Sequence, residues 1–174
     1  MVKGGFGTAS AEEGELIVGA VAAVNSMGEI LDEEGALLAA ARPGEEDQPE
    51  SNGPPAGTNT TLVAVATNAK LSKERAHLLS LAAHEGIDRA VRPAHTLYDG
   101  DTAFALATGQ VEADQRTVER LAAETVAQAI RRAVLRAESV PGAPAIRDLG
   151  IAAQLPPEPP SEIGHQTRIL DEEF

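Results

Sequence analysis

Residues 118–134 constrain this chain more than any other stretch. Val118, Leu121, Ala122, Val126, Ala129, Ile130, Ala133 and Val134 recur at three- and four-residue intervals, the spacing that lines one face of an α-helix. Arg131, Arg132 and Arg136 fall on the other side. Acids at Glu112 and Asp114 open the segment and arginines close it, as the helix macrodipole favours, and Pro141 reads as its stop. A helix with one apolar stripe has to bury it against another layer, so the rest of the chain must supply a sheet or further helices.

Both are legible. "ELIVGAVAAVN" (Glu15 to Asn25) is a β-leaning apolar run. The shorter run "EILDEEGALLAAA" is split by "DEEG", a hairpin turn. "TTLVAVAT" from Thr60 has the β-branched character of a buried strand, and "DTAFALAT" (Asp101 to Thr108) reads as another. Between them Ser72 caps a helix with Glu74 in its first turn and an apolar series of Leu78, Leu79, Ala82, Ala83 and Ile87. The glycines of "KGGFG", Gly4, Gly5 and Gly7, follow no strand, so they form no phosphate-binding fingerprint and read as a turn. The order of elements predicts an α/β (α+β) domain with two long helices packed on a mixed sheet. Residues 1–149 are expected to form that domain.

Two segments are poor in apolar residues. "RPGEEDQPESNGPPAGT", residues 42–58, cannot bury enough surface to offset its ordering entropy and reads as a mobile loop. Residues 150–174 read as a flexible, acidic, proline-rich tail.

The formal charge of −13 comes from 27 acidic and 14 basic residues. That balance argues against nucleic acid, which needs clustered Lys and Arg. The same acidity fits either ordinary solubility or a high-salt cytoplasm. With no cysteine, disulfides, thiolate metal sites and a cysteine nucleophile are excluded. No apolar run reaches the roughly 18 residues of a membrane span, and "MVKGGFGTAS" lacks the apolar core of a signal peptide. A soluble cytoplasmic protein without metal or cofactor is expected. His77 and His84 lie a heptad apart on one helix face, but no third ligand accompanies them.

Two features carry chemistry. The first is Asn59-Thr60-Thr61, where a polar loop meets a strand. A threonine hydroxyl needs a base to become a nucleophile, and an N-terminal threonine carries its own, an α-amine with a pKa of about 7.7–8.0. Cutting the bond before Thr60 would create that amine. The alternative is that Thr60 and Thr61 merely begin a strand after an asparagine turn. The second feature is Asp99-Gly100-Asp101, two carboxylates at the mouth of a strand. The pair can orient an ammonium group or a nucleophile, or can be an Asp-Gly turn feeding the strand. From the residues alone, both readings stand at each site.

The stretch "GTNTTLVAVATNAKLSKERAHLLSLAAHEGIDRAVRPAHTLYDGDTAFALATG", with "KGGFGTAS" and "VGAVAAVNSMGEILD" upstream, resembles the C-terminal half of the DmpA-type L-aminopeptidase/D-esterase family. That family includes β-peptidyl aminopeptidases and nylon-oligomer hydrolases. The resemblance covers roughly residues 3–138 and rests on the Asn-Thr-Thr strand start and the block "HTLYDGDTAFALAT". It implies part of an αββα sandwich, with an autocleavage loop over 42–59 and self-cleavage between Asn59 and Thr60. Thr60 is then the nucleophile of an N-terminal-nucleophile hydrolase. Asp99 and Asp101 match the pair that hydrogen-bonds near the nucleophile and the substrate amine. Asn25 matches a side-chain amide of the oxyanion site, where a donor is worth about 2.7–4 kcal/mol. His95 fits the same block and is expected beside the aspartates.

The implied substrates are small peptides, amides or esters, hydrolysed without a cofactor. The implied partners are a second copy of the chain or a complementing N-terminal chain, with no nucleic acid and no membrane. The family's longer members have a first half that supplies a tyrosine donor and much of the substrate pocket. Some also carry a lysine where this chain has Glu12 and Glu13, and Lys3 is the substitute candidate. Two alternatives are a non-catalytic relic that serves as an interaction subunit, and acyl transfer of the glutamate N-acetyltransferase kind.

Overall fold

The computed structural model describes residues 2–39 and 59–149, together with the backbone of 167–168. The expected loop at 42–58 and the rest of the expected tail beyond 149 lie outside the described residues.

The first strands are β1 (Phe6–Glu13), β2 (Leu16–Asn25), β3 (Glu29–Leu31), β4 (Leu37–Ala39) and β5 (Thr60–Ala69). After them come α1 (Lys73–Ala90), β6 (Val91–Arg92), β7 (Thr102–Val111), α2 (Gln115–Leu135) and β8 (Thr167–Arg168). The main sheet runs β7-β5-β2-β1-β8, and a smaller one runs β4-β3-β6. Among the described residues only the β5–β7 pair is parallel in the main sheet, with α1 in the connection between its strands. The mixed sheet and two long helices match the fold class read from the sequence.

Period-two patterning decides which face is covered. In β2, Leu16, Val18, Ala20, Ala22 and Val24 are buried while Ile17, Val21 and Asn25 point away. In β5, Val63 and Val65 are buried between Leu62, Ala64 and Ala66, which are exposed. Both helices lie on the buried face, where full burial of each valine or leucine contributes about 1.5–3 kcal/mol.

Small residues set the distance between layers. A Cβ on Gly86 of α1 would sit 2.7 Å from both the Ala123 oxygen and the Val126 Cβ of α2. A Cβ on Gly7 of β1 would sit 2.1 Å from the Ala129 oxygen, and one on Gly5 would sit 2.1 Å from that of Ala133. The reading of this glycine cluster as a turn is therefore corrected. Gly7 lies in a strand, and Gly5 and Gly7 let the chain touch the backbone of α2.

Three smaller corrections follow. Leu78 is 43% exposed, and the buried face of α1 is formed by Leu79, Ala82, Ala83, Gly86, Ile87 and Ala90. Helix α2 ends at Leu135, well before Pro141. Arg131 does not simply face water. Its guanidinium donates to the carbonyls of Leu31 (2.9 Å) and Asp32 (3.0 Å), tying α2 to the β3–β4 hairpin. Burial lowers its pKa, against the opposing pull of Glu33, Asp32 and Glu34.

The opposite face of the main sheet is open and apolar. Phe6, Ile17, Val21, Leu62, Phe104 and Leu106 all project from it, with Phe6 65% and Phe104 62% exposed. Strand pairing sets Phe104 beside Ala64 and Leu106 beside Ala66, so the apolar surface is continuous across β7 and β5.

Candidate active site

One end of the main sheet gathers every site residue expected from the sequence. Asn25, the last residue of β2, is the cross-strand partner of Thr60, the first of β5. On the other side of β5, Asn59 forms a parallel bridge with Asp99, just before the β5–β7 ladder begins at Leu62 and Thr102. Residues far apart in sequence are thus brought to a single strand start.

The Asn59–Thr60 peptide is held by short contacts. The Thr60 hydroxyl donates to the Asn59 carbonyl oxygen at 2.6 Å, and the Gly100 amide donates to the same oxygen at 2.8 Å. The Asn59 amide donates to the Tyr98 carbonyl at 3.4 Å. A Cβ on Gly100 would stand 2.9 Å from the Thr60 hydroxyl oxygen. Gly100 is not among the positive-φ glycines, so it is required here for room rather than for backbone conformation.

The two aspartates flank this peptide, Asp99 through its backbone bridge to Asn59 and Asp101 through its carboxylate on Thr61. Asp101 accepts from the Thr61 amide at 2.8 Å on one oxygen and from the His95 amide at 3.2 Å on the other, which also lies 2.9 Å from His95 Nδ1. Its side chain is only 4% exposed. Asp99 accepts from the Thr96 hydroxyl (2.6 Å), the Thr96 amide (3.1 Å) and the Met27 amide (3.3 Å). The Asp101 carboxylate therefore fixes the backbone just after Thr60 and the Asp99 carboxylate fixes Thr96 and Met27, while the Thr60 hydroxyl itself is bonded to Asn59.

His95 has φ +54, a left-handed conformation unusual for a side chain of its size. Asp101 holds it there by taking both its amide and its ring nitrogen. The His84 ring meets the His95 ring edge-on at 4.9 Å. Burial lowers the pKa of His84, and the charge of His95 adds to that, against Asp101 and Asp88. His95 Nε2 lies 3.6 Å from Asp88. Lys3 donates to the Gly4 carbonyl, and Gly4 packs on the Val24–Asn25 backbone, at the same end of the sheet.

Sequence reasoning missed Thr96, Met27 and the Gly100 amide. Thr96 had a signal, since a hydroxyl residue three before an aspartate is the spacing of a side-chain-closed turn. The backbone donors had none, because glycine and methionine amides carry no mark in a sequence. A cavity elsewhere, lined by Glu13, Asp32, Arg89, Arg120 and Arg131 among others, contains none of Asn25, Thr60, Asp99 or Asp101. Among the described residues no group of three or more His, Asp or Glu could hold a metal ion. Nor is any helix among them long and apolar enough to cross a membrane.

The fold is shared with solved aminopeptidase structures. The structure of the L-aminopeptidase D-ala-esterase/amidase from Ochrobactrum anthropi, described as a variant of the Ntn hydrolase fold, superposes with a TM-score of 0.57. That match is 22% identical and covers 82% of this chain and 43% of that one. The chain belongs to peptidase family S58, which its residues 1–146 match. An uncharacterized aminopeptidase from Mycobacterium leprae is 39% identical over 172 residues, covering 83% of this chain and 48% of that protein. A 6-aminohexanoate-oligomer endohydrolase from Kocuria sp. is 35% identical over 54 residues, 31% of this chain and 15% of that enzyme. The chain thus spans about half the length of the longest-matching curated relatives.

Proposed function

We propose that this chain is the nucleophile-bearing portion of an autoprocessing aminopeptidase or amidohydrolase, which cuts itself between Asn59 and Thr60. The observation that carries the reading is the Thr60 hydroxyl lying 2.6 Å from the carbonyl oxygen of the peptide bond to be cut. Family membership and the aminopeptidase and oligomer-hydrolase names of its relatives support the same chemistry.

In the first turnover the Thr60 oxygen attacks the Asn59 carbonyl carbon and gives up its proton. The C–N bond breaks, that nitrogen takes a proton, and Asn59 is left as an ester on the Thr60 oxygen. Water then cleaves the ester, freeing the Asn59 carboxylate and restoring the hydroxyl. The new α-amine, with a reference pKa of about 7.7–8.0, acts as the base in later turnovers. The acyl group of an N-terminal peptide amide, or of an amino-acid ester or amide, passes to the Thr60 oxygen as its amine or alcohol leaves with the proton held by the α-amine, and water then frees it as the carboxylic acid and restores the hydroxyl. Asn25, opposite Thr60, donates to the oxyanion, while Asp101 holds the Thr61 amide and Asp99, at the mouth of the strand, meets the substrate amine.

The open apolar sheet face belongs to the same proposal. Its occupant is a second sheet layer supplied by the equivalent of the part of the relatives that this chain does not span. The uncovered half of the Mycobacterium leprae protein is the natural source to test. Co-expression with that segment should give a heteromeric complex and faster release of p-nitroaniline from amino-acid p-nitroanilides, lost with Thr60→Ala. Turnover that survives Thr60→Ala contradicts the nucleophile, and a stable self-dimer that refuses the segment contradicts the occupant.

A further inference from the structure

We propose that the backbone amide of Gly100 is an oxyanion donor for self-cleavage. The proposal rests on the self-cleavage reading above and assigns a group to it.

Attack on the Asn59 carbonyl moves negative charge onto its oxygen. A donor already aimed at that oxygen stabilises the transition state without having to reorganise. The Gly100 N–H meets this requirement at 2.8 Å. It is held there by the Asn59–Asp99 bridge, by Asp99 fastened to Thr96 and Met27, and by Asp101 fastened to Thr61. The Thr60 hydroxyl reaches the same oxygen from within the chain, 2.6 Å away, and occupies space that any side chain at position 100 would invade. The hydroxyl of the attacking residue and the donor therefore both contact the scissile carbonyl oxygen before cleavage. The Gly100 amide serves as a catalytic group through direct contact with a reacting atom, whereas Asp99 and Asp101 act on it as positioning residues.

A purely structural reading makes the same hydrogen bond an ordinary rung of the parallel ladder. The two readings differ in what happens when the N–H alone is removed. Replacing Gly100 by glycolic acid converts that amide to an ester and keeps every other atom. Cleavage of the full chain is followed by mass spectrometry, with rates normalised to the folded fraction from circular dichroism, beside wild type and Thr60→Ala. The expected result is cleavage of wild type at Asn59–Thr60, none in Thr60→Ala, and a rate about 100- to 1,000-fold lower in the ester chain. An ester chain that folds and cleaves at the wild-type rate overturns the donor while leaving the self-cleavage reading intact. Wild type that does not cut at this bond overturns both. Should the ester chain fail to fold, the uncut Thr60→Ala chain supplies a second readout, the scalar coupling across the hydrogen bond from Gly100 15N to the Asn59 carbonyl 13C. A coupling larger in magnitude than those of the neighbouring β5–β7 rungs supports the assembled donor, and one no larger, or none in a well-resolved spectrum, overturns it.

Discussion

Asp101→Asn should weaken the fold and the site together, and the size of the effect follows from the hydrogen bonds of the carboxylate. One oxygen takes the Thr61 amide at 2.8 Å, and the other takes the His95 amide at 3.2 Å and faces His95 Nδ1 at 2.9 Å. An asparagine amide offers a single oxygen. If that oxygen stays on Thr61, the NH2 group confronts His95. The imidazole can change tautomer and accept, but the His95 backbone N–H cannot. Leaving a donor unpaired costs about 1–3 kcal/mol when buried, and water at the exposed His95 puts this case at the low end. Losing the charge from the Thr61 bond adds roughly 1 kcal/mol. The sum is about 2 kcal/mol, or roughly 4–8 °C in Tm at this chain length. Urea unfolding followed by circular dichroism measures it, with Thr60→Ala present in both chains so that neither is cut. A difference below about 0.5 kcal/mol would refute the bracing role of Asp101.

Other expectations are simpler. Gly86→Ala places a methyl 2.7 Å from the Val126 Cβ and should destabilise by about 1–3 kcal/mol, read as a lower urea midpoint at unchanged slope. Thr61→Val should act in the opposite sense, because the Thr61 hydroxyl is fully buried without a partner; a stability gain of about 1 kcal/mol is expected, with self-cleavage retained. His84, whose pKa is lowered in the fold, is protonated more readily in the unfolded chain. Stability should therefore fall as pH drops below about 6.5, and His84→Gln should flatten that decline in a pH series of thermal melts.

The sequence made some parts of this structure plain and hid others for identifiable reasons. The α2 stripe and the strands β2 and β5 were legible because their apolar residues repeat at the period of the element. Strand β1 was not. "FGTASAEE" has few β-branched or large apolar residues, and what makes it a strand is tertiary, a glycine-lined approach to α2. At the site, the residues themselves singled out Asn59, Thr60, Asp99 and Asp101, the resemblance chose between their two readings and added Asn25, and the structure puts all five at one end of the sheet. It could not disclose that both carboxylates spend hydrogen bonds on backbone amides as well as on Thr96 and His95 side chains, or that Asp101 is buried where turn composition reads as exposed. Those facts depend on contacts between residues 40 and 72 positions apart.

The central claim is that Thr60 becomes an N-terminus by its own attack on Asn59. Intact mass under denaturing conditions, with N-terminal sequencing of the larger fragment, tests it directly. Self-cleavage predicts fragments 1–59 and 60–174, the second beginning Thr-Thr-Leu-Val, and an uncut chain of 18.0 kDa for Thr60→Ala. A fragment starting at any other residue, or cleavage that persists in Thr60→Ala, would contradict it.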